Sequence, residues 1–381
     1  MHTRYRQRGG EDAVVSAEAR VLKEAGHVVR QLIHRNPRSN LRAAGNLALS
    51  PWNPLAVRRV TKAVEDTRPD VAHVHNTWFT MSPAVIRTLK KAGVPVVMTL
   101  HNYRLTCANG LLYRDGARCE LCVGSHPWNA IRYGCYRGSR VESLPAAVTI
   151  DLHRRLGTWT EQVDVLIALT EFQRDLMIQA GLPQDKITVK PNFVPDPGPR
   201  LAPPSGSNVV LYVGRLSAEK GVDLLVEAWR QTDTGPLELV IAGDGPLHDV
   251  MSRGLPSTVT LLGAISSEHV RRLMLSARAL MLPSLWFEGM PMVLLEAFAA
   301  QLPAAVSAGG GPAQIVGAAI GPRWVFRSGD PASLSEALRK VRDNAWCDSS
   351  GGLAREAFET DFTDSRAAKR LLDIYQPLPS R

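Results

Sequence analysis

Short apolar runs recur along the chain, each closed by turn-forming residues and followed by a stretch whose apolar positions fall three and four apart. Buried strands alternating with amphipathic helices predict parallel sheets covered by helices, an α/β chain. In the first half the pattern places helices over 12–25, 83–91 and 171–180, and strands over 27–32, 71–75, 94–100 and 163–169. In the second half it places strands over 209–213, 237–242, 258–262, 279–282, 304–306 and 324–326, with helices over 222–230 and from 291 onward. Residues 195–207 hold five prolines and two glycines, the composition of a linker. The expected organisation is a first Rossmann-like domain over 1–195, a linker over 196–207, a second Rossmann-like domain over 208–364 and a final segment over 365–381. Little before Gly9 reads as a strand. Either the recorded start lies downstream of the natural one, or the first sheet lacks a central strand.

Two loops at strand ends carry the chemistry. After the apolar run 279–282 the chain breaks at Pro283 and reads EGMPMVLLE, from Glu288 to Glu296. Glu288, Gly289 and Met290 fall before a helix whose first turn suits Pro291, because a proline there forgoes no hydrogen bond. The free amides and the positive helix end face the crevice where anions bind in open α/β folds. Glu288 and Glu296 flank that crevice and suit the hydroxyls of a sugar or ribose. After the run 209–213 comes GRLSAEKG, from Gly214 to Gly221. Gly214 allows a tight turn, while Arg215 and Lys220 bracket the loop with two cations fit for a diphosphate. Each feature alone also reads as ordinary surface polarity. Two such loops in one parallel sheet are less easily accidental.

These motifs, with AGDGP at 242–246, PNFV at 191–194, GGED at 9–12 and HVHN at 73–76, resemble the retaining glycosyltransferases of family 4. The likeness runs over nearly the whole chain. It implies the GT-B architecture, two Rossmann-like domains facing across a cleft, and transfer of a sugar from a nucleotide diphosphate sugar donor to a hydroxyl acceptor. In that family Arg215 and Lys220 correspond to diphosphate ligands, Glu296 to the ribose ligand and Glu288, Gly289 and Met290 to the donor-sugar site. Gly9 and Gly10 correspond to a loop near the phosphates, and His101 to a residue approaching the donor sugar from the first domain. The final helix is expected to cross back to the first domain. No catalytic metal is implied. His73 and His75 alternate along one strand, are expected on opposite faces, and receive no catalytic role. Ala313 and Gln314 stand where the family often carries a glutamate, which leaves details of the donor pocket open.

Composition narrows the setting. The 381 residues have 45% apolar content and no run approaching eighteen apolar residues, so a soluble, cytoplasmic enzyme is expected. The first 195 residues carry 27 Lys and Arg against 16 Asp and Glu, and the remainder 18 against 20. The basic half is the acceptor side in the resembled family, so peripheral contact with an anionic membrane bearing a lipid-linked acceptor is expected. Arg132, Arg137 and Arg140, interleaved with Trp128, Tyr133 and Tyr136, are the contact residues it offers. Cys107, Cys119, Cys122 and Cys135 cluster in one Gly-rich stretch, and a structural zinc ion is the reading of four thiols in a reducing compartment. Packed thiols or a disulfide are the alternatives. A basic zinc-containing nucleic-acid-binding protein leaves both strand-end loops unexplained, and no nucleic-acid partner is expected. A GT-B protein that binds without catalysis is disfavoured by the intact Arg215, Lys220, Glu288 and Glu296.

Overall fold

A computed structural model describes residues 1–4, 9–36 and 45–379. The chain divides into two compact units, the first of 1–114, 119–191 and 367–381, the second of 115–118 and 192–366.

In the first unit, four parallel strands lie in the order β3 (Ala72–Val74), β4 (Val96–Thr99), β7 (Val165–Ala168), β8 (Ile187–Val189). The expected absence of an opening strand is overturned. His2–Arg4 forms β1, paired in parallel with β2 (Ile33–Arg35) and bridged through His2 to Asn76 beyond β3. Its amides are satisfied on both sides: His2 N–H donates to Leu32 O at 3.1 Å and Thr3 N–H to Asn76 O at 2.9 Å. The apolar pattern missed it because both buried residues are polar: His2 and Thr3 are inaccessible, and the His2 ring lies 2.9 Å from Asp12 Oδ1. For the same reason β2 falls on Ile-His-Arg at 33–35, not on the more apolar 27–32. Two more strands, β5 (Tyr113–Arg114) and β6 (Ala117–Arg118), form a small hairpin.

The second unit is a single six-stranded parallel sheet, in the order β11 (Val259–Gly263), β10 (Glu238–Ala242), β9 (Val209–Val213), β12 (Ala279–Leu282), β13 (Ala304–Ser307), β14 (Val325–Phe326). Counted from the start of the unit this is 3-2-1-4-5-6, the doubly wound Rossmann order, whose direction reverses between β9 and β12. All four residues of β12 are buried, as befits a strand covered on both faces. The helix after it, Met292–Ala299, buries Leu294, Leu295, Ala297 and Phe298. The loops leaving β9 and β12 therefore diverge at the switch point and open a crevice at the strands' carboxyl ends. Those are the two loops singled out by their chemistry.

Candidate active site

The loop after β9 is shaped by backbone-to-backbone packing. Gly214 keeps an ordinary φ, so its need is for room, not for a left-handed turn. A Cβ there would lie 3.2 Å from the Tyr212 hydroxyl, and one on Gly243 of the neighbouring loop would lie 1.8 Å from the Gly214 carbonyl oxygen. At the other end Gly221 has φ +64°, and a Cβ would lie 2.2 Å from Pro283 O, so only glycine brings this loop against the end of β12. The Tyr212 hydroxyl donates to Arg215 O at 2.9 Å, and Leu285 N–H donates to Glu219 O at 2.8 Å, locking the loops together.

Lys220 and Glu288 meet across this seam. Lys220 Nζ donates to Glu288 Oε1 at 2.8 Å and stands 5.2 Å from the Trp286 ring centroid. Ser284 Oγ donates to the same carboxylate oxygen, and the Glu288 side chain is 7% exposed against 24% for Lys220. The Glu288 backbone is held as well, since Gly311 N–H donates to its carbonyl at 2.9 Å. Asn192 Nδ2 donates to Met290 O at 3.3 Å, which fixes the stretch from Glu288 to the helix. Pro291 is the residue that caps this helix, which begins at Met292, one position later than its spacing indicates. Met290 is buried, whereas Gly289 is partly accessible.

Arg215 and Glu296 face solvent. Among the described residues no side chain pairs with the Arg215 guanidinium. Desolvation by its surroundings raises the Glu296 carboxyl above the usual carboxylate range even though solvent reaches the side chain, the signature of a recessed position. The second unit thus brings a guanidinium, an ammonium and two carboxylates to the switch point. Sequence reading missed Ser284, Trp286 and Asn192 as members of this set. The signal for Ser284 was its place directly after Pro283, and that for Asn192 its place in PNFV. Arg118 was missed too: it belongs to the second unit, donates to Ala308 O and lies 4.7 Å from the Phe287 ring centroid.

In the first unit, Gly9 precedes the helix Gly10–Glu24, with its N–H donating to Asp12 Oδ2 at 3.2 Å and open space where a Cβ would stand. His101 belongs to a buried polar cluster. Its Nε2 lies 3.0 Å from His75 Nδ1. The expectation that His73 and His75 point to opposite faces is wrong, because residues i and i+2 of a strand share a face. Their rings stack with centroids 4.2 Å apart. Tyr375 of the helix Asp364–Tyr375 places its hydroxyl 2.6 Å from His73 Nδ1, and Thr99 Oγ1 lies 2.7 Å from His73 Nε2. Beneath the rings, Lys190 Nζ donates to Glu18 Oε1 at 2.7 Å, both side chains being almost inaccessible. Burial holds His73 down to about 4 and His101 down to about 3, so both rings are neutral near pH 7.

Among the described residues, Glu18, His73 and His75 form the one group of three or more ligand-bearing side chains whose ligand atoms lie within 4.8 Å of one another. It is poorly suited to a metal ion. Lys190 already supplies the positive charge beside Glu18, and both His73 nitrogens are engaged. The four cysteines of 107–135 stand wider apart, although all four line one cavity. None of the five cysteines is in a disulfide.

Residues 9–192 match the model of the glycosyl transferase 4-like domain, and residues 199–354 that of the glycosyl transferases group 1. A putative teichuronic acid biosynthesis glycosyltransferase, TuaC of Bacillus subtilis, is 25% identical over 84% of this chain and 75% of its own length. The amylovoran biosynthesis glycosyltransferase AmsK of Erwinia amylovora is 26% identical over 57% of both chains. Among solved structures, Anabaena HepE in complex with UDP-glucose superposes with a TM-score of 0.67 at 16% identity, covering 99% of each chain. Two Rossmann-like units, a switch-point crevice lined by cations and carboxylates, and both family models converge: the chain belongs to the group 1 glycosyltransferases of family 4, enzymes of GT-B fold that use nucleotide sugar donors.

Proposed function

We propose that this enzyme transfers a hexose from a uridine diphosphate sugar to a hydroxyl of a cell-envelope glycan or glycolipid precursor, retaining the anomeric configuration. The observation that carries this reading is the Lys220–Glu288 pair at the switch point, with Arg215 exposed on the same loop. Lys220 and Arg215 neutralise the diphosphate as the glycosidic bond breaks, a charge that grows toward the transition state. Glu288 and the Gly289–Met290 backbone, ahead of the helix that Pro291 caps, orient the sugar hydroxyls. Glu296 accepts from the ribose hydroxyls, and Gly214 keeps the loop low enough for phosphate to approach. Gly9 and Gly10 leave room beside the helix start in the first unit. His101, neutral, offers that unit's hydrogen bond. With no second carboxylate placed as nucleophile beside Glu288 among the described residues, departure assisted by the diphosphate on the same face is the course favoured.

Uridine is favoured because HepE, of the same fold, was solved with UDP-glucose, and the envelope setting because TuaC and AmsK are named for polysaccharide synthesis. A thermal-shift series with UDP, GDP, ADP and CMP tests the donor site. UDP at a hundred times its Kd is expected to add about 2.7 kcal/mol of stability, and Glu296→Ala to abolish most of the shift. A shift with GDP alone would overturn the choice of uridine. Silence from every nucleotide in a folded sample would overturn the donor site itself.

The acceptor is proposed to be lipid-linked and met at an anionic membrane surface. Val141 is 80% exposed, and Leu144, Tyr133 and Trp128 are also exposed, beside the exposed Arg132, Arg137 and Arg140. Tyr136 is buried and takes no part in such a surface. No helix among the described residues is long and apolar enough to cross a membrane, so the contact is peripheral. Flotation with vesicles is expected to recover more protein with anionic than with neutral lipid, and less after Arg132, Arg137 and Arg140 are changed to Ser. Equal recovery from both vesicle types would end the idea.

A further inference from the structure

The segment from Tyr103 to Ser139, all but 115–118 of it in the first unit, has little repeating structure and needs another source of order. It holds one five-residue helix, Asn129–Tyr133, and the two-residue strands β5 and β6. Leu112, Asp115 and Arg137, none of them glycine, have φ between 51° and 54°. Such residues occupy the left-handed region only where surrounding contacts over-determine them. The apolar contacts beneath are modest: Ala108, Ala130, Ala146, Ala147, Ile150 and Trp78 form a small cluster against which Cys135 packs.

Within this segment Cys107, Cys119, Cys122 and Cys135 line a single cavity of about 350 Å³, open space at its mouth included. We propose that the four cysteines bind one structural Zn²⁺ ion, Cys119 and Cys122 as a C-x-x-C pair and Cys107 and Cys135 closing the tetrahedron. The chemistry of the donor set fits: four sulfurs and no competing carboxylate line the cavity, and tetrahedral all-sulfur sites select zinc or iron.

Three observations support it. First, the backbone of each cysteine is anchored beside the cavity. Cys107 N–H donates to Tyr103 O at 2.8 Å, Cys119 N–H to Leu112 O at 2.8 Å and Cys135 N–H to Ala130 O at 2.9 Å, while Thr106 Oγ1 donates to Cys122 O at 2.7 Å. Second, the Cys107 sulfur is held at the cavity by its own hydrogen bond, donating to Asn109 Oδ1 at 2.9 Å, and Asn109 lines the same cavity. Third, the surroundings answer the double negative charge of a tetrathiolate zinc centre. Arg114 lines the cavity.

The sulfurs of a tetrahedral zinc site stand about 3.8 Å apart, closer than these, so binding draws them inward. Cys119 and Cys135 are the two partly accessible members of the set. The ion then replaces a missing apolar core: it ties the start of the segment at Cys107, its middle at Cys119 and Cys122, and its end at Cys135.

The test is metal content by plasma emission on the full chain purified under reducing conditions without added metal. About one equivalent of zinc per chain is expected, falling to background in Cys119→Ser/Cys122→Ser and unchanged in Cys347→Ser, whose thiol is buried elsewhere and donates to Val341 O. Because the double variant can fail to fold, the wild-type chain is also exchanged with Co²⁺. Visible d–d bands of a tetrahedral thiolate site, with a sulfur-to-cobalt charge-transfer band, are the expected signature. Stoichiometric iron in place of zinc, or no metal together with no cobalt bands, would overturn the proposal. So would a disulfide between any two of the four cysteines in the reduced preparation.

Discussion

Lys220→Ala is expected to lower the affinity for UDP by about 10- to 100-fold while leaving that for uridine unchanged. The range is that of a charge-assisted hydrogen bond, roughly 1.5–3 kcal/mol. Donor turnover, read as nucleoside diphosphate release, should fall further, by about 10²–10³-fold, because the charge on the departing diphosphate grows as the bond breaks. The geometry that motivates this is compact. The ammonium lies 2.8 Å from Glu288 and beside Trp286, and it remains partly accessible, so it can turn to a phosphate without leaving its carboxylate partner far behind. Lys220→Arg should recover little, since a planar guanidinium can stack on the Trp286 ring and fork onto the Glu288 carboxylate, leaving it less able to turn to a phosphate than a mobile ammonium. Removing the lysine also strands a buried carboxylate, so the variant will lose stability and must be assayed well below its own Tm. The uridine control separates the two effects. If UDP and uridine weaken together, the loss is structural and Lys220 is not a phosphate ligand.

Glu18→Gln should be the most destabilising single change in the first unit, by about 3–5 kcal/mol. Lys190 is inaccessible, and its Nζ donates to Glu18 Oε1 at 2.7 Å. Glu18→Leu with Lys190→Met should cost far less than Glu18→Gln alone, because no charge is left unpaired. Urea unfolding of the three chains measures this, and a double variant as unstable as the single one would show that packing, not charge, dominates. The same cluster sets an acid limit. Burial depresses His73 to about 4 and His101 to about 3, and Glu18 is also held down: burial opposes that shift, but Lys190 and His73 outweigh it. Below about pH 6.5 the unfolded chain binds protons that the folded histidines refuse. Stability is therefore full above that pH and falls on acidification until the folded values are reached, by roughly 1.4 kcal/mol per pH unit for each histidine. A Tm flat between pH 7 and pH 5 would contradict the burial of these rings.

The second unit was far more legible in the sequence than the first, for a physical reason. Strands 209–213 and 279–282 are buried on both faces, so continuous apolar runs betray them, and the glycines, cations and carboxylates of their loops stand in plain sequence order. Nothing in the pattern pairs Lys220 with Glu288, because that contact spans 68 residues and depends on the reversal of strand order between β9 and β12. In the first unit the two opening strands bury polar side chains. β1 and β2 carry His2, Thr3 and His34, and the residues around His101 come from four separate parts of the chain. A hydrophobicity pattern cannot register a strand whose buried side chains are histidine and threonine. Nor can it foresee that Lys190, at the end of β8, is the counter-ion of Glu18 on the opening helix.

The path of the chain has one consequence for how the enzyme can be cut. The backbone passes between the two units at 114/115, 118/119, 191/192 and 366/367. A protease nick in the proline-rich stretch at 196–207 would free neither unit whole. The leading fragment would keep 115–118, whose Arg118 packs against Phe287 and Ala308 within the second unit. The trailing fragment would keep Tyr375, whose hydroxyl meets His73. Each piece would thus carry a segment that completes the unit held mainly by its counterpart.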